Sequence, residues 1–557
     1  MSAGTVKLTI DGQTVEVTKG TTILQAAEKL GIHIPRYCYH PGLEIVGICR
    51  ICQVEIKGVP NPVISCYALA EDGQEVFTKS PMVERVRRAD LEFLLINHPI
   101  DCPICDTSGE CDLQNYYMTD GKHRSRLRHH KINRLKKTRI GARVVLDQER
   151  CILCSRCVRF LKDITSTHEL GFFGKGDRSY IDVVDGKALD GNIYAGNVVD
   201  LCPVGALTDD DFRFKCRVWY LKVAPSICPH CSNGCNIEIH FNTELCWKND
   251  GKRIMRIKPR FNPHVNDYWM CDIGRYDYDF AENPTRLERP LVRRGDAQVE
   301  TTWDEALKIA AERLQPLRVD KGCELAGCIP TPWMTNEAAF LFRKLFVDIL
   351  GIEHVGFRKN GGEVGGDGFL LRNDRSPNRL GLELIVSEAS RGGVPSEEVF
   401  RMAADNVLRI LVCVECIPDR LPPEELIDAA AKGVDFLMVF ASNASTLTER
   451  ADLVLPVSPW SEENGTWVNW LGRLQWVTPA LGPKGYSKNA VEAVALIGRR
   501  LGVDLGDGKS RTTFDELAKE ISVFGGISYD DLVESGAGLP GYPGSRLEES
   551  SGRRERD

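Results

Sequence analysis

Twenty-one cysteines, 17 of them within residues 1–271, constrain this chain of 557 residues more than any other feature. A secreted disulfide framework is the wrong reading for so long a chain. Met1–Ile10 shows no charged segment followed by an apolar core, so no secretory signal is expected. In a reducing compartment, clustered cysteines read first as metal or iron–sulfur ligands. The rest of the chain, with four cysteines, is of another kind. Lys and Arg number 71 against 78 Asp and Glu, a formal charge of −7, which does not support a dedicated nucleic-acid binder. No apolar run approaches the roughly 18 residues needed to span a bilayer.

Local pattern divides the chain further. Thr5–Ile10 and Thr14–Val17 alternate in polarity about Asp11-Gly12 and predict a β-hairpin. Thr21 is the expected cap of a helix over Ile23–Leu30, stopped by Gly31. Residues 84–97 read as a helix with Val86, Leu91, Leu94 and Leu95 on one face. Gly121–Leu146 is basic without a single acid. From about residue 303 helices alternate with strands. Trp303–Leu317, Asn336–Leu350 and Pro422–Lys432 are expected helices, and Val407–Val414 and Phe436–Phe440 expected strands. This predicts a doubly wound parallel sheet. Ser545–Asp557 is expected to be disordered.

The cysteines fall into four sets. Cys38, Cys49, Cys52 and Cys66 have gaps of ten, two and thirteen residues. A hairpin and helix followed by a cysteine loop is the plan of a plant-type [2Fe–2S] ferredoxin, although that group has a four-residue first gap. A structural zinc site also accepts four thiolates. Cys102, Cys105 and Cys111 leave a cubane cluster one ligand short, and His98 stands four residues upstream of Cys102. A lone histidine is ordinarily a hydrogen-bonded bystander, but here a fourth ligand is required, and an imidazole can bind iron. Its neutrality should raise the cluster potential, as histidine ligation does in Rieske centres.

The third set is Cys151, Cys154 and Cys157 with Cys202-Pro203. Bacterial ferredoxins carry two runs with gaps of two, two and three, and the last cysteine of each run serves the other run's cluster. Counting forward from Cys157 lands on Leu161, and counting back from Cys202 lands on Val198, Ala195 and Asn192. One run has therefore kept its first three ligands and the other only its fourth, which together make one [4Fe–4S] site. The fourth set, Cys228, Cys231, Cys235 and Cys271, suits a [4Fe–4S] site heading a larger domain, with a zinc ribbon as the rival. Cys216, Cys246, Cys323, Cys328, Cys413 and Cys416 remain and read mainly as buried small hydrophobes.

No dinucleotide fingerprint, Walker A motif, nucleophile elbow or zinc-protease motif is present. Gly361–Gly368 is glycine-rich, but its acids make it a poor phosphate cradle, and a flexible loop is expected. One-electron centres without a site for a hydride donor point to a relay inside a complex.

The motifs carry a family resemblance over about residues 5–500. His98-Pro99 with Cys102-Pro103-Ile104-Cys105-Asp106 and Gly109-Glu110-Cys111-Asp112-Leu113-Gln114 resembles the His–Cys box of the large iron–sulfur subunits of bacterial NADH:quinone oxidoreductase, respiratory complex I. Cys151 through Phe160 is similar to the next cluster motif of that family. Ala451–Pro456, Glu463–Asn469 and Gly472–Gln475 resemble the molybdopterin oxidoreductase fold. The N-terminal modules also occur in NAD-linked formate dehydrogenases, hydrogenase diaphorase subunits and iron-only hydrogenases. The last lack support because hydrogen-cluster cysteines are missing beyond residue 271. A catalytic molybdenum enzyme would offer a metal ligand roughly a hundred residues after Cys235 and a Lys where Arg275 stands, and its pterin region would exceed residues 285–500.

The resemblance implies an α+β and α/β multidomain chain. A β-grasp [2Fe–2S] ferredoxin domain is expected over 1–83, a His–Cys box over 84–123 and a ferredoxin-like [4Fe–4S] domain over 141–215. A [4Fe–4S] domain of molybdopterin-oxidoreductase type follows over 221–280, a vestigial α/β domain over 281–502 and a C-terminal extension over 503–557. Sixteen ligands would hold one [2Fe–2S] and three [4Fe–4S] clusters, without molybdenum or pterin. Implied partners are the NADH/FMN subunit, a small [2Fe–2S] subunit and quinone-side iron–sulfur subunits, at the inner face of the cell membrane, with no nucleic acid and no membrane contact of the chain's own. An NAD-linked formate dehydrogenase subunit is the alternative enzyme. A zinc-rich nucleic-acid or scaffold protein is the alternative from another class; it rests on Arg124, Arg126, Arg128, Lys131, Arg134, Lys136, Lys137 and Arg139, which read more simply as a solvated linker or a face for acidic partners.

Overall fold

Asp11 and Gly12 both have positive φ, 47° and 82°, and turn the strand Thr5–Ile10 back onto Gln13–Thr18 with Leu8 opposite Val15. This is the backbone an Asp-Gly hairpin turn requires. The structure, a computed structural model, describes residues 4–121, 124–186, 188–319, 322–357, 366–386, 394–415 and 421–546. Gly361–Gly365, Cys416, the side chain of Cys323 and residues 547–557 therefore lie outside it. By contacts the chain forms two units, Met1–Leu221 and Lys222–Asp557.

In the first unit the hairpin joins Glu75–Phe77, Gln53–Ile56 and Val63–Ile64 in a five-stranded sheet, with Thr5–Ile10 parallel to Glu75–Phe77. The helix Ile23–Lys29 packs Ile23, Leu24, Ala26 and Ala27 against Leu8, Ile10, Val54 and Val76. This is the expected β-grasp arrangement. The cap is Thr22 and not Thr21: Thr22 Oγ1 accepts from Gln25 N (3.3 Å), and Gln25 Oε1 accepts from Thr22 N (3.0 Å). The reciprocal box needs Gln three residues on, which Thr21 lacks.

The next helix runs Pro81–Leu95, three residues earlier than expected at its start, because Ser80 caps it and Pro81 suits the first turn. Its buried residues are Val83, Arg87 and Leu91; Val86 is only half-buried. The basic stretch is pinned locally. Lys131 Nζ donates to Leu95 O (2.6 Å), Lys136 pairs with Glu149 (2.6 Å), Arg139 pairs with Asp210 (2.7 Å), and Arg126 pairs with Glu92. It leads into a three-stranded sheet of Thr138–Arg139, Val144–Leu146 and Leu207–Asp209.

The second unit opens with the antiparallel sheet Lys222–Ile227, Asn236–Phe241 and Ile254–Pro259. Its main sheet has eight strands. Leu453–Pro456, Phe436–Ala441, Ile410–Glu415, Ala326–Ile329, His354–Phe357 and Val394–Pro395 run parallel, and the hairpin Leu291–Arg294/Ala297–Glu300 adds antiparallel at one edge. Val412, Val414, Met438 and Phe440 pack against helices Trp303–Val319, Asn336–Phe342, Ala490–Arg500 and Ser510–Glu520. Leu411, Cys413, Leu437 and Val439 pack on the opposite side against Ser396–Ala404 and Glu424–Gly433. Covering both faces is why these strands read as continuous apolar runs. The expected helix Asn336–Leu350 is α-helical only to Phe342 and continues as a π-helix, Arg343–Ile349. Of the leftover cysteines, Cys216, Cys328 and Cys413 are buried, whereas Cys246 is partly exposed beside Trp247.

Candidate metal centres

In the first set, positive φ at Gly47 and Arg50 (both 61°) folds the loop so that Cys38 N donates to Cys49 Sγ at 3.4 Å. A Cβ on Gly47 would stand 2.7 Å from Ile64 Cδ1. The four thiols form two hydrogen-bonded pairs. Cys38 is held at about 6 by its bond with Cys49 and Cys52 at about 7 by its bond with Cys66, while Cys49 and Cys66 are pushed up as the donors.

His98, Cys102, Cys105 and Cys111 line one cavity, with Pro99, Asp101 and Gly205. Burial lowers His98 to about 4, so its ring is neutral, and its Nδ1 is buried without a hydrogen-bond partner among the described residues. A neutral ring with an unused nitrogen is the chemistry of a ligand. Gly205 reaches across: a Cβ there would lie 2.4 Å from Cys105 Sγ.

Cys151, Cys154, Cys157 and Cys202 line another cavity, walled by Leu146, Ile152, Ile181 and Arg156. Leu153 and Ser155 adopt positive φ (55° and 66°), which turns the Cys151 and Cys154 loop inward, and Leu153 N donates to Cys151 Sγ at 3.4 Å. Cys157 lies on the short helix Arg156–Arg159, and Cys202 follows Asn197–Leu201. Backbone N–H groups of Val204, Ala206 and Leu207 are directed at Cys202 sulfur. Burial pushes Cys151 up to about 12 and Cys154 to about 11. Four such thiolates are stable together only with a compensating cation, which iron would supply.

The fourth set lies in the second unit. Cys228, Cys231, Cys235 and Cys271 are all buried, and Cys228 N donates to Cys235 O at 2.9 Å. A Cβ on Gly274 would fall 2.6 Å from Cys228 Sγ. Burial raises all four thiols, and repulsion from neighbouring cysteines adds to it at Cys228, Cys235 and Cys271. Among the described residues no group of three or more His, Cys, Asp or Glu is arranged to hold a metal ion.

The second and third sets thus each line one cavity, and thiols of the first and fourth sets lie near enough to interact with one another. Further residues, which the sequence did not single out, support these sets. Asn469 Nδ2 donates to Asn233 O (3.2 Å), Gln475 Nε2 to Gly234 O (3.0 Å) and Trp470 N to Ser232 O (2.9 Å), so a distant hairpin props the Cys228–Cys235 loop. Trp333 Nε1 donates to Pro229 O (2.9 Å). Arg156 and Arg159, beside Cys157, are buried and reach the first set's loop: Arg156 Nη2 donates to Tyr39 O (2.7 Å), and Arg159 to the carbonyls of Cys38 and Glu44. Their only signal in the sequence is an arginine on each side of a buried cysteine and its neighbour.

Five family models match in chain order. They are a 2Fe-2S iron-sulfur cluster binding domain (residues 3–81), the NADH-ubiquinone oxidoreductase-G iron-sulfur binding region (87–126) and the ferredoxin-like domain of NADH-quinone oxidoreductase subunit 3 (141–208). The Molybdopterin oxidoreductase Fe4S4 domain (221–283) and Molybdopterin oxidoreductase (286–375 and 422–499) follow. The G subunit of NADH-quinone oxidoreductase from Rickettsia bellii is 39% identical over 62% of this chain and 48% of its own length. That of Streptomyces coelicolor is 38% identical over 63% and 41%, respectively. The NADH-ubiquinone oxidoreductase 75 kDa subunit of Reclinomonas americana is 39% identical over 61% and 47%. A solved chain of an NAD+-reducing [NiFe]-hydrogenase in the H2-reduced state is 32% identical over 38% of this chain and 91% of its own, with a TM-score of 0.35. The chain spans about half the length of the curated relatives it matches.

Proposed function

We propose that the chain, which is similar to the G subunits of NADH-quinone oxidoreductase, is the iron–sulfur electron-relay subunit of such a complex. The observation that carries this reading is a core shared by three ligand sets. Tyr37, Cys38, Cys111, Leu113, Cys154 and Val204 pack together, with Cys49, Cys151 and Cys202 at the margin. A protein serves such cofactors by binding, orientation and electrostatics, and one dry core holds neighbouring sites at short, fixed separations.

In this reading Cys38, Cys49, Cys52 and Cys66 hold one [2Fe–2S] cluster, and the other three sets each hold a [4Fe–4S] cluster. Bound there, the clusters supply one-electron transfer. The chain's own residues shield them from water, hold their spacing and set the charge around them. Segments of the third set touch both others: Arg156 and Arg159 bond the Cys38 loop, and Pro203 O accepts from Asp112 N at 3.0 Å. The first and second sets also meet directly, Tyr37 lying against Tyr116 with ring centroids 5.2 Å apart. In this reading the His98 and Cys151 sets lie on the path, and the [2Fe–2S] site lies near its entry. NADH would be oxidised in an FMN-bearing subunit aided by a small [2Fe–2S] subunit, and quinone-side iron–sulfur subunits would take the electrons. The complex would lie at the inner face of the cell membrane. Among the described residues no helix is long and apolar enough to cross a membrane. The Cys228 set takes a structural role off the path.

Residues 285–500 act in this reading as a scaffold without molybdenum or pterin. Arg275 stands in the usual Lys position, buried on the helix Asp272–Tyr276, and donates to Ile257 O at 3.4 Å. Iron and sulfide counts with low-temperature EPR on the anaerobically purified chain test the whole reading. About 14 iron atoms are expected, two for the [2Fe–2S] site and four for each [4Fe–4S] site. Iron near ten would remove one [4Fe–4S] site, with the Cys228 set the expected loss. Stoichiometric molybdenum, or formate oxidation by the purified complex, would replace this reading with a formate dehydrogenase.

A further inference from the structure

Arg156 is more than nine-tenths buried and lines the cavity enclosed by Cys151, Cys154, Cys157 and Cys202. Two of its nitrogens are committed. Nη1 donates to Leu201 O (3.2 Å), next to Cys202, and Nη2 donates to Tyr39 O (2.7 Å), next to Cys38. Its Nε–H is buried and has no hydrogen-bond acceptor among the described residues. A guanidinium stays protonated in proteins, and a buried cationic N–H without an acceptor is costly. Among the described residues no carboxylate is hydrogen-bonded to it, both Nη partners being carbonyls, although the Asp112 carboxylate lies near enough to feel its charge. A positive charge is therefore fixed against this cavity with one donor unused, which calls for an anionic acceptor inside the cavity. Polysulfur iron groups with thiolate ligands are that kind of acceptor.

We propose that Arg156 tunes and positions the group held by Cys151, Cys154, Cys157 and Cys202: its Nε–H donates to a sulfur of that group, and its Nη atoms tie the site to the Cys38 loop. This rests on the ligand reading of the third set. Reduction adds one electron to the group, with no bond formed or broken and no proton leaving Arg156, so the cation favours the reduced, more negative state. Arg159 differs, since its Nε is satisfied by Ser155 Oγ at 2.9 Å. The one arginine is thus a donor towards the site, the other a brace.

The test uses the full chain, purified anaerobically with its iron and titrated with dithionite. Wild type should show a [4Fe–4S] EPR signal that Cys157→Ala removes; without such a signal the ligand reading itself fails. With the signal present, Arg156→Met should lower the reduced-to-oxidised ratio at a fixed potential about tenfold, which is about 59 mV downward for one electron. Arg156→Lys keeps the charge but not the Nε donor, and should recover only part of that shift. Wild type grown with arginine carrying 15N only in its guanidinium should show 15N coupling to the reduced centre, and Arg156→Lys should lose it. Unchanged potentials in both variants would overturn the proposal, as would absent 15N coupling in wild type. Should neither variant assemble its iron, absent coupling in the labelled wild type still overturns the proposal, and coupling that survives Arg159→Lys separates Arg156 from its buried neighbour.

Discussion

His98 is the single uncharged donor proposed beside fifteen cysteines, and its surroundings keep it so, since burial lowers its pKa to about 4. Replacing His98 with Ala removes a fourth donor from a cavity otherwise lined by three thiols. That variant should lose its cluster or leave it with an exchangeable iron. It should slow NADH-to-quinone transfer in the complex while sparing NADH-to-ferricyanide transfer. His98→Cys should restore a cluster at lower potential, because the added thiolate is negative. Equal quinone rates in wild type and an assembled His98→Ala complex would remove this site from the path. In the second unit Glu463 is buried; Oε1 accepts from Ala490 N (3.0 Å) and Oε2 has no hydrogen-bond partner among the described residues. Burial pushes its pKa up to about 8. The unfolded chain would ionise it near about 4.3. Stability from the protonated form is full below about pH 4.3 and is lost as pH rises towards about 8. Glu337, raised by burial to about 7, adds the same sign. Glu463→Gln should melt near wild type at about pH 5 and above it at about pH 8.5. A gap in melting temperature that does not change with pH would contradict this.

The segment Cys202–Leu207 serves two sites at once. It carries a third-set cysteine and the N–H groups around that sulfur, and its Pro203 O accepts from Asp112 N at the start of the helix Asp112–Tyr116. Gly205 lies in the lining of the second set's cavity. A Cβ there would stand 2.4 Å from Cys105 Sγ, and Thr107 Oγ1 at 3.2 Å leaves little room for retreat. Gly205→Ala should therefore deplete the iron of the His98 set and weaken its EPR signal, although Gly205 binds no metal, while the Cys151 set keeps its signal. Loss of both signals together would mean that the segment folds as one piece with both sites. The main sheet makes the complementary point at this scale. Its apolar runs predict strands between two layers of helices, and residues alternate between the two faces as period two requires.

At the scale of the whole molecule, each unit has its own core, and the candidate sites are divided three to one between them. The Cys228 set is knit into the second unit by bonds to Asn469, Trp470 and Gln475, more than two hundred residues away. Cys228→Ala should remove one EPR signal and lower the melting temperature of that unit. Complexes that still assemble should reduce quinone at near-normal rates. Quinone reduction that falls in step with the Cys228 signal would put this site on the path and refute the structural role.

Spacing alone determined how the cysteines group along the chain, which of them are neighbours along the backbone, and that a gap of two residues recurs in all four sets. Periodicity determined the hairpin and the two-faced sheet, because burial on a strand or helix leaves a repeating mark within a few residues. The ends of elements were less legible: Thr22 rather than Thr21, Pro81 rather than residue 84, and the change to a π-helix at Arg343 depend on single hydrogen bonds and not on pattern. Only the tertiary structure decided which side chains meet at each cavity, that Arg156 has a donor to spare and Arg159 has not, and that Gly205 must lack a side chain. A gap fixes the contour length between two ligands but not the direction each one faces. Contacts between residues far apart in sequence carry no period, so they become visible only when the folded backbone brings them within a few ångströms.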